Sequence, residues 1–223
     1  MIIAIDGPAA SGKSTVARAV ARRLGFRYLD TGAMYRAVAA EAIRLGRPLE
    51  DATAMTGLAE TIRVSFAYDS GDPVPYGVFV GSRDVTREIR TPAVDAAVSL
   101  VARIPGVRRA MVPLQREFAG GTDTVVEGRD IGSVVFPDAA VKVFLTASPE
   151  ERARRRVGDR AAAGHEAAVA AVATDIARRD TIDSTREASP LVAAAGARHI
   201  DTTGASVDEV VDRIEALVRE AVA

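Results

Sequence analysis

Gly7-Pro8-Ala9-Ala10-Ser11-Gly12-Lys13-Ser14 has the spacing of a phosphate cradle: two glycines five residues apart, then a lysine and a hydroxyl. The glycines let consecutive backbone N–H groups turn inward onto phosphate oxygens. A helix beginning at the lysine adds the partial positive charge of its N-terminus. In such a loop Lys13 reaches the β- and γ-phosphates of a nucleotide, the Ser14 hydroxyl faces Mg²⁺, and Thr15 closes the phosphate-facing stretch. The chain has 29 basic residues, all arginine except Lys13 and Lys142, and no asparagine. Against that background a lysine at this position is informative, because arginine is the default cation. The loop predicts a bound triphosphate.

The arginines supply the second half of the chemistry. Phosphoryl transfer between two anions needs cations that neutralise both and gather the charge of the transition state. Arg36 follows Asp30-Thr31-Gly32-Ala33-Met34-Tyr35 at a strand–helix junction. Arg129 sits in Glu127-Gly128-Arg129-Asp130 at the carboxyl end of another strand, the ligand-binding edge of an open α/β sheet. Arg152, Arg154, Arg155 and Arg156 crowd a short helix whose clear apolar residues are Ala153 and Val157. They read either as a solvated face or as a lid that folds over the triphosphate, and the lid is the preferred reading. Arg178, Arg179 and Arg186 flank Asp180 and Asp183.

Other chemistries are excluded by composition. The 223 residues carry a net charge of −1, so bulk attraction to nucleic acid or an anionic membrane is not the theme. Without cysteine there is no disulfide, no thiol nucleophile and no sulfur-bound zinc, and His165 and His199 are too few for a histidine metal centre. A guanine-reading Asn-Lys-x-Asp motif is impossible without asparagine. A motor ATPase would want an apolar strand ending in Asp or Glu, whereas Val141-Lys142-Val143-Phe144-Leu145 ends in Thr146. No apolar run approaches the roughly 20 residues of a membrane span. Met1–Ile5 is cut short by Asp6 and Gly7, unlike a secretion signal. The expectation is a cytoplasmic small-molecule kinase.

The elements that must position these residues follow from hydrophobic periodicity. Ile2–Ile5 is a buried strand. Residues 13–24 place Val16, Ala17, Val20, Ala21 and Leu24 on one helical face, with Gly25 as the stop. Phe26–Leu29 is a strand and Ala33–Leu45 a helix, so the chain opens in the rhythm of a parallel sheet wrapped by helices. Residues 62–86 break the rhythm with three short strands around Ser70-Gly71-Asp72-Pro73 and Gly81-Ser82, predicting a small antiparallel sheet. Helices follow at about 92–103 and 106–118. Strands at Thr124–Glu127, Val141–Leu145 and Arg198–Asp201 bring the parallel sheet to five, with helices at Pro149–Val157 and Ser206–Val222. The Ala-rich stretch 161–173 has helix propensity and no motif.

Four blocks together closely resemble the bacterial cytidylate kinases. They are Ile5-Asp6-Gly7-Pro8 running into the loop, Leu29–Arg36, Glu127–Asp138, and Arg179-Asp180 with Asp183-Ser184 and Ser189-Pro190-Leu191. They span almost the whole chain in order. The resemblance implies a P-loop α/β fold: a five-stranded parallel core (1–34, 120–148, 187–223), a nucleoside-monophosphate-binding insert (35–119) and a lid with its flanking helix (149–186). It implies transfer of the γ-phosphoryl of ATP, with Mg²⁺, to CMP or dCMP, by a monomer with no nucleic-acid or membrane partner. Thr31, Arg108 and Asp130 resemble the family's cytosine readers, with Tyr35 lining the pocket. Arg36 and Arg129 are similar to its monophosphate clamp. Ser99, Arg179 and Asp183 match its pentose contacts, Arg186 reaches the nucleotide from the same segment, and Arg155 and Arg156 belong to its lid. Lys13, Arg129, Arg155 and Arg156 are the expected catalytic cations. Beyond Ser14, no Asp or Glu declares itself as an Mg²⁺ ligand. The rival readings are a kinase for UMP, AMP or dephospho-coenzyme A, and a nucleotide-binding regulator.

Base choice has a physical basis in these residues. Cytosine shows an amino donor beside two acceptors, so a carboxylate suits the amino group and an arginine the acceptors. Uracil puts an oxygen where the amino group was, facing the carboxylate with a lone pair, and a site built on polar complementarity rejects it.

Overall fold

The computed structural model describes residues 1–162 and 168–222. Its centre is a parallel sheet of β1 (Ile2–Asp6), β2 (Arg27–Asp30), β6 (Thr124–Gly128), β7 (Val141–Thr146) and β8 (Arg198–Asp201), in the order β2-β6-β1-β7-β8. The central strands β6, β1 and β7 read largely as apolar runs because both faces are covered, whereas the edge strand β8 buries only Ile200. Ile3, Ile5, Val125, Val143 and Leu145 pack against α1 (Lys13–Leu24) and α8 (Val207–Val222), through Val16, Val20, Val210 and Ile214. Ala4 and Val126 face the other way, toward α2 (Thr31–Arg44), α4 (Pro92–Ala102) and α5 (Pro105–Ala119). On α2 half of the ten buried residues are alanine (Ala33, Ala37, Ala39, Ala40 and Ala42), which lets that helix lie close to the sheet.

The insert has the antiparallel sheet expected from its turns: β3 (Val64–Tyr68), β4 (Pro75–Val80) and β5 (Arg83–Asp84). It also has a helix that periodicity does not announce, α3 (Ala52–Thr61). Gly57 weakens its propensity and only Met55 and Ala59 are buried, but Asp51 caps it by accepting from the Ala54 N–H at 2.9 Å. In the segment expected as a lid, α6 (Pro149–Ala162) runs past the expected end at Val157, and α7 (Val169–Thr185) carries on from part of the Ala-rich stretch. Residues 163–167 of that stretch, His165 among them, lie outside the described residues.

The topology gathers five strand ends at one edge. Asp6 pairs in register with Gly128, and Asp30 with Glu127. The loop after β1, the start of α2 after β2, and Arg129-Asp130 after β6 therefore leave the sheet side by side, at the crevice where an open α/β sheet binds ligands. The buried Asp6 side chain fixes the turn after β6. One carboxylate oxygen accepts from Ile131 N–H and the other from Gly132 N–H, both at 2.8 Å. The same turn needs Gly128, where a Cβ would come within 2.7 Å of Ile131 and of the Thr31 hydroxyl.

Burial pushes the Asp6 carboxyl up from 3.8 to about 6, against the two amide hydrogen bonds that lower it. A rise of that size is worth about 3 kcal/mol. With the folded pKa above the unfolded one, its contribution to stability is complete below pH 3.8 and is lost as the pH rises through 6. The unfolding free-energy difference between wild type and Asp6→Asn is expected to shrink by about 2 kcal/mol from pH 4 to pH 7 in urea titrations. A flat or growing difference means the two amides hold the ionised form in preference.

Candidate active site

The loop between β1 and α1 adopts the backbone a phosphate cradle requires. Gly7 has φ 151°, and a Cβ there would sit 2.1 Å from the Leu145 carbonyl oxygen. Gly12 has φ 89°, and Ala10 holds φ 58° despite its side chain, a strain typical of functional loops. Lys13 is buried and curls back over its own loop. Its ammonium donates to the Pro8 carbonyl at 2.6 Å and to Ser11 Oγ at 3.4 Å. Burial and the Arg129 charge bring its pKa down to about 7, against the pull of Glu127, Asp180 and Asp6. An ammonium in this state is poised for an anion.

Beside the loop stands a carboxylate whose partner the sequence did not reveal. Ser14 Oγ donates to Glu127 Oε2 at 3.0 Å, and the Tyr28 hydroxyl donates to the other oxygen. Burial raises the Glu127 pKa, as does the nearby Asp30. Strand β7 ends in Thr146, but the acid comes from β6, which lies on the other side of β1. Thr124-Val125-Val126-Glu127 was the available signal; its adjacency to β1 was not.

Across from the loop, arginines from four segments converge. Arg36 donates to Asp95 at 2.5 Å and to the Ile89 carbonyl at 3.1 Å. Arg156, from α6, reaches the other oxygen of the same Asp95. Arg129 donates to Asp183 at 3.0 Å, and that carboxylate, with Asp180 and Glu127, raises its pKa in spite of burial. Arg179 makes no hydrogen bond or ion pair among the described residues, and its Nε is buried without a partner. Burial, then the charges of Arg36, Arg129 and Arg156, bring it down to about 9. Expected as a pentose contact with Ser99 and Asp183, Arg179 lies electrically among the clamp arginines. Ser99 is buried on α4, one turn beyond Asp95.

A third group lies deeper. Arg108 pairs with Asp130, Arg186 donates to the other Asp130 oxygen at 3.4 Å, and all three are buried. Arg108 lies 5.2 Å from the centre of the Tyr35 ring, and both its Nε and the Tyr35 hydroxyl are buried without partners. Thr31 Oγ1 donates to the Glu127 carbonyl at 2.7 Å, which ties the start of α2 to the end of β6. Tyr35, Arg108, Asp130 and Arg186, with Thr31 at the start of the same helix as Tyr35, thus form a buried polar cluster with unsatisfied hydrogen-bonding atoms.

The lid arginines divide. Arg155 donates to Glu151 at 2.9 Å, to Thr202 Oγ1 at 2.9 Å and to the Thr202 carbonyl at 2.7 Å, beside Gly12 of the loop. It stands apart from Arg156 although the two are consecutive. Arg152 pairs with Asp180, whose other oxygen accepts from the Ala9 N–H at 3.0 Å, so α6 and α7 both dock on the loop tip. Pro8, Ala9, Ala10 and Ser11 form the loop wall, and Thr15 is exposed on α1.

An unpaired guanidinium held among others is a cost the ligand-free protein carries for its ligand. Arg179→Met is expected to raise the ligand-free unfolding free energy by about 1 kcal/mol and to weaken anion binding at the site. Chemical denaturation and sulfate titration read the two effects. A destabilised variant with unchanged sulfate affinity would remove Arg179 from the anion site.

The chain matches the family model described as cytidylate kinase over residues 3–220. It is 54% identical to the cytidylate kinase of Pelotomaculum thermopropionicum, over 97% of this chain and 95% of that one. It is 50% identical to that of Mycobacterium avium, over 99% and 96%. In Synechococcus a bifunctional pantoate ligase/cytidylate kinase aligns with all of this chain at 49% identity, through 45% of its own length. Among solved structures, an uncharacterized protein from Eubacterium ventriosum shares the fold, with TM-score 0.53 and 13% identity over 98% of both chains. A phosphate loop, a cluster of arginines and a buried polar group beside it, with full-length identity near one half, have one common source: this chain belongs to the cytidylate kinase family.

Proposed function

We propose that the protein transfers the γ-phosphoryl of ATP to CMP and dCMP, and that the three groups above are its donor, transfer and base sites. The observation that carries this is Arg179, unpaired among the described residues, in the field of Arg36, Arg129 and Arg156, with Arg129 also acting on Lys13. Cations concentrated between a triphosphate loop and a polar pocket fit two phosphate chains meeting end to end.

In this reading the backbone amides of the loop and Lys13 hold the donor phosphates. Arg36, Arg129, Arg156 and Arg179 hold the acceptor monophosphate and the migrating group. The bond between the γ-phosphorus and its bridging oxygen breaks as an oxygen of the CMP phosphate bonds to that phosphorus, and ADP leaves with the bridging oxygen. The attacking phosphate is already an anion, so no side chain has to remove a proton. The enzyme contributes positioning, charge and exclusion of water, with Arg155 and Arg156 carried on the lid. Ser14 and Glu127 offer adjacent hard oxygen donors beside the loop, a set that fits Mg²⁺ sharing its sphere with phosphates and water. Ser14 and Glu127 would hold the ion there, and its charge would offset that of the donor phosphates. Asp183 and Ser99 lie on the side of the clamp toward the pentose. Core 1–34, 120–148 and 187–223, insert 35–119 and lid 149–186 act as the three moving parts of a monomer. No helix among the described residues is long and apolar enough to cross a membrane.

Asp130 reads cytosine by accepting from its amino group, while Arg108 donates to the ring acceptors through its unpartnered Nε. A panel of CMP, dCMP, UMP, AMP and dephospho-coenzyme A, followed by ADP release, tests the assignment; preference for any acceptor over CMP and dCMP overturns it. Because Asp130 also neutralises Arg108 and Arg186, the useful variant is Asp130→Asn, which keeps shape and one acceptor. It should lose about 1.5–3 kcal/mol of transition-state stabilisation with CMP and much less with UMP. Equal losses would make Asp130 structural.

Lys13→Arg tests the donor site. Charge is kept, but a planar guanidinium does not fit where an ammonium 2.6 Å from the Pro8 carbonyl lies under the loop. A fall of about 10²–10³ in kcat is expected, with the fold intact by circular dichroism. Near-normal turnover would remove Lys13 from the phosphate site.

A further inference from the structure

Asp95 belongs to none of the motifs, yet it has the most consequential position in the insert. It is buried in the first turns of α4, 6% exposed, and each of its oxygens takes a different arginine. Arg36 comes from α2 and Arg156 from α6, so one carboxylate ties two helices of the insert to the lid. A carboxylate and a phosphate receive guanidinium donors through the same kind of oxygen and in much the same geometry. Two arginines that read as phosphate ligands are therefore held, in the ligand-free chain, by an internal anion.

We propose that Asp95 is a built-in stand-in for the substrate phosphate: it pre-positions Arg36 and Arg156 and competes for them, so that it limits how tightly the monophosphate is held. This rests on the reading of Arg36 and Arg156 as phosphate ligands. The surroundings support competition over simple pairing. Arg129 and Arg90 add positive charge near Arg36, while Arg36, Arg160 and Arg90 do so near Arg156. Burial and these neighbours lower both guanidinium pKa values to about 10. In that field Asp95 relieves repulsion when no ligand is present. When the phosphate arrives, the carboxylate becomes a like charge beside it, and the arginines turn partly from one anion to the other. Asp95 is thus a positioning residue that trades affinity for release of product, a trade that favours turnover once binding is strong enough.

The test is Asp95→Asn, which keeps the shape and removes the charge. Calorimetry with CMP and with inorganic sulfate should show about tenfold tighter binding of each than in wild type. Steady-state kinetics should show a lower KM for CMP together with a kcat reduced about fivefold. A residue that merely braces the fold would leave KM unchanged or raise it. Affinity for CMP and sulfate that stays the same or weakens overturns the proposal, whatever happens to Tm. A variant unfolded at low salt but folded in sulfate supports it, since the added anion then replaces the missing one. A variant unfolded in both overturns it. Wild-type protein that binds sulfate but does not phosphorylate CMP would overturn the kinase reading instead, and the sulfate comparison would still decide the role of Asp95.

Discussion

Mutual repulsion among the cations gathered at one edge of the sheet is the constraint around which the rest of the site is arranged. Lys13, Arg36, Arg156 and Arg179 all have lowered pKa values, with burial the leading cause and neighbouring arginines next. Left alone, such a cluster would open the fold. It stays closed because each cation but one has a counter-ion or a carbonyl from a different element: Asp95 for Arg36 and Arg156, Asp183 for Arg129, Pro8 for Lys13. Arg179 is the exception, and an exception of that kind is what a site for an anionic substrate has to contain.

The same bonds that contain the charge also tie the parts together. Arg156 joins α6 to α4, Arg152 with Asp180 joins both lid helices to the loop tip, and Arg90 reaches from the insert to Asp30 at the end of β2. Asp30 at the same time caps α2 by accepting from Ala33 N–H at 3.0 Å. Helices α6 and α7 meet the phosphate loop and α4 through ion pairs more than through apolar packing. The apolar joint between lid and loop is small, with Ala9, Val172 and Ile176 as its buried members. Ion pairs with partial exposure exchange readily for contacts to phosphate, whereas a large apolar interface would resist separation.

Beneath these ion pairs, hydrogen bonds to the backbone brace the sheet edge. Asp6 clamps the turn after β6 with two amide hydrogen bonds, and Thr31 ties α2 to the Glu127 carbonyl. Arg129, Asp130, Glu127 and Thr31 are consequently fixed relative to the phosphate loop by backbone contacts at the sheet edge. A site assembled on strand ends holds its geometry better than one assembled on free loops.

Much of this was legible before any coordinates. The P-loop declared its own chemistry because its glycines, lysine and serine are consecutive in the chain. The strands and amphipathic helices were readable because apolar alternation is local, and the turn residues of 62–86 marked the small sheet. Local pattern failed at α3, where only two buried residues and a mid-helix glycine carry the signal. Partnership across the chain was decided by tertiary structure alone. Glu127 meets Ser14 because β6 lies next to β1, Arg155 and Arg156 part because consecutive helical side chains point about 100° apart, and Arg179 joins the clamp because α7 folds back over it. Asp95 offered no pattern at all; it is one acid in an apolar helix until Arg36 and Arg156, 59 and 61 residues away, arrive on either side of it. Chemistry carried by neighbours in sequence can be read from sequence, and chemistry made by neighbours in space requires the fold that brings them together.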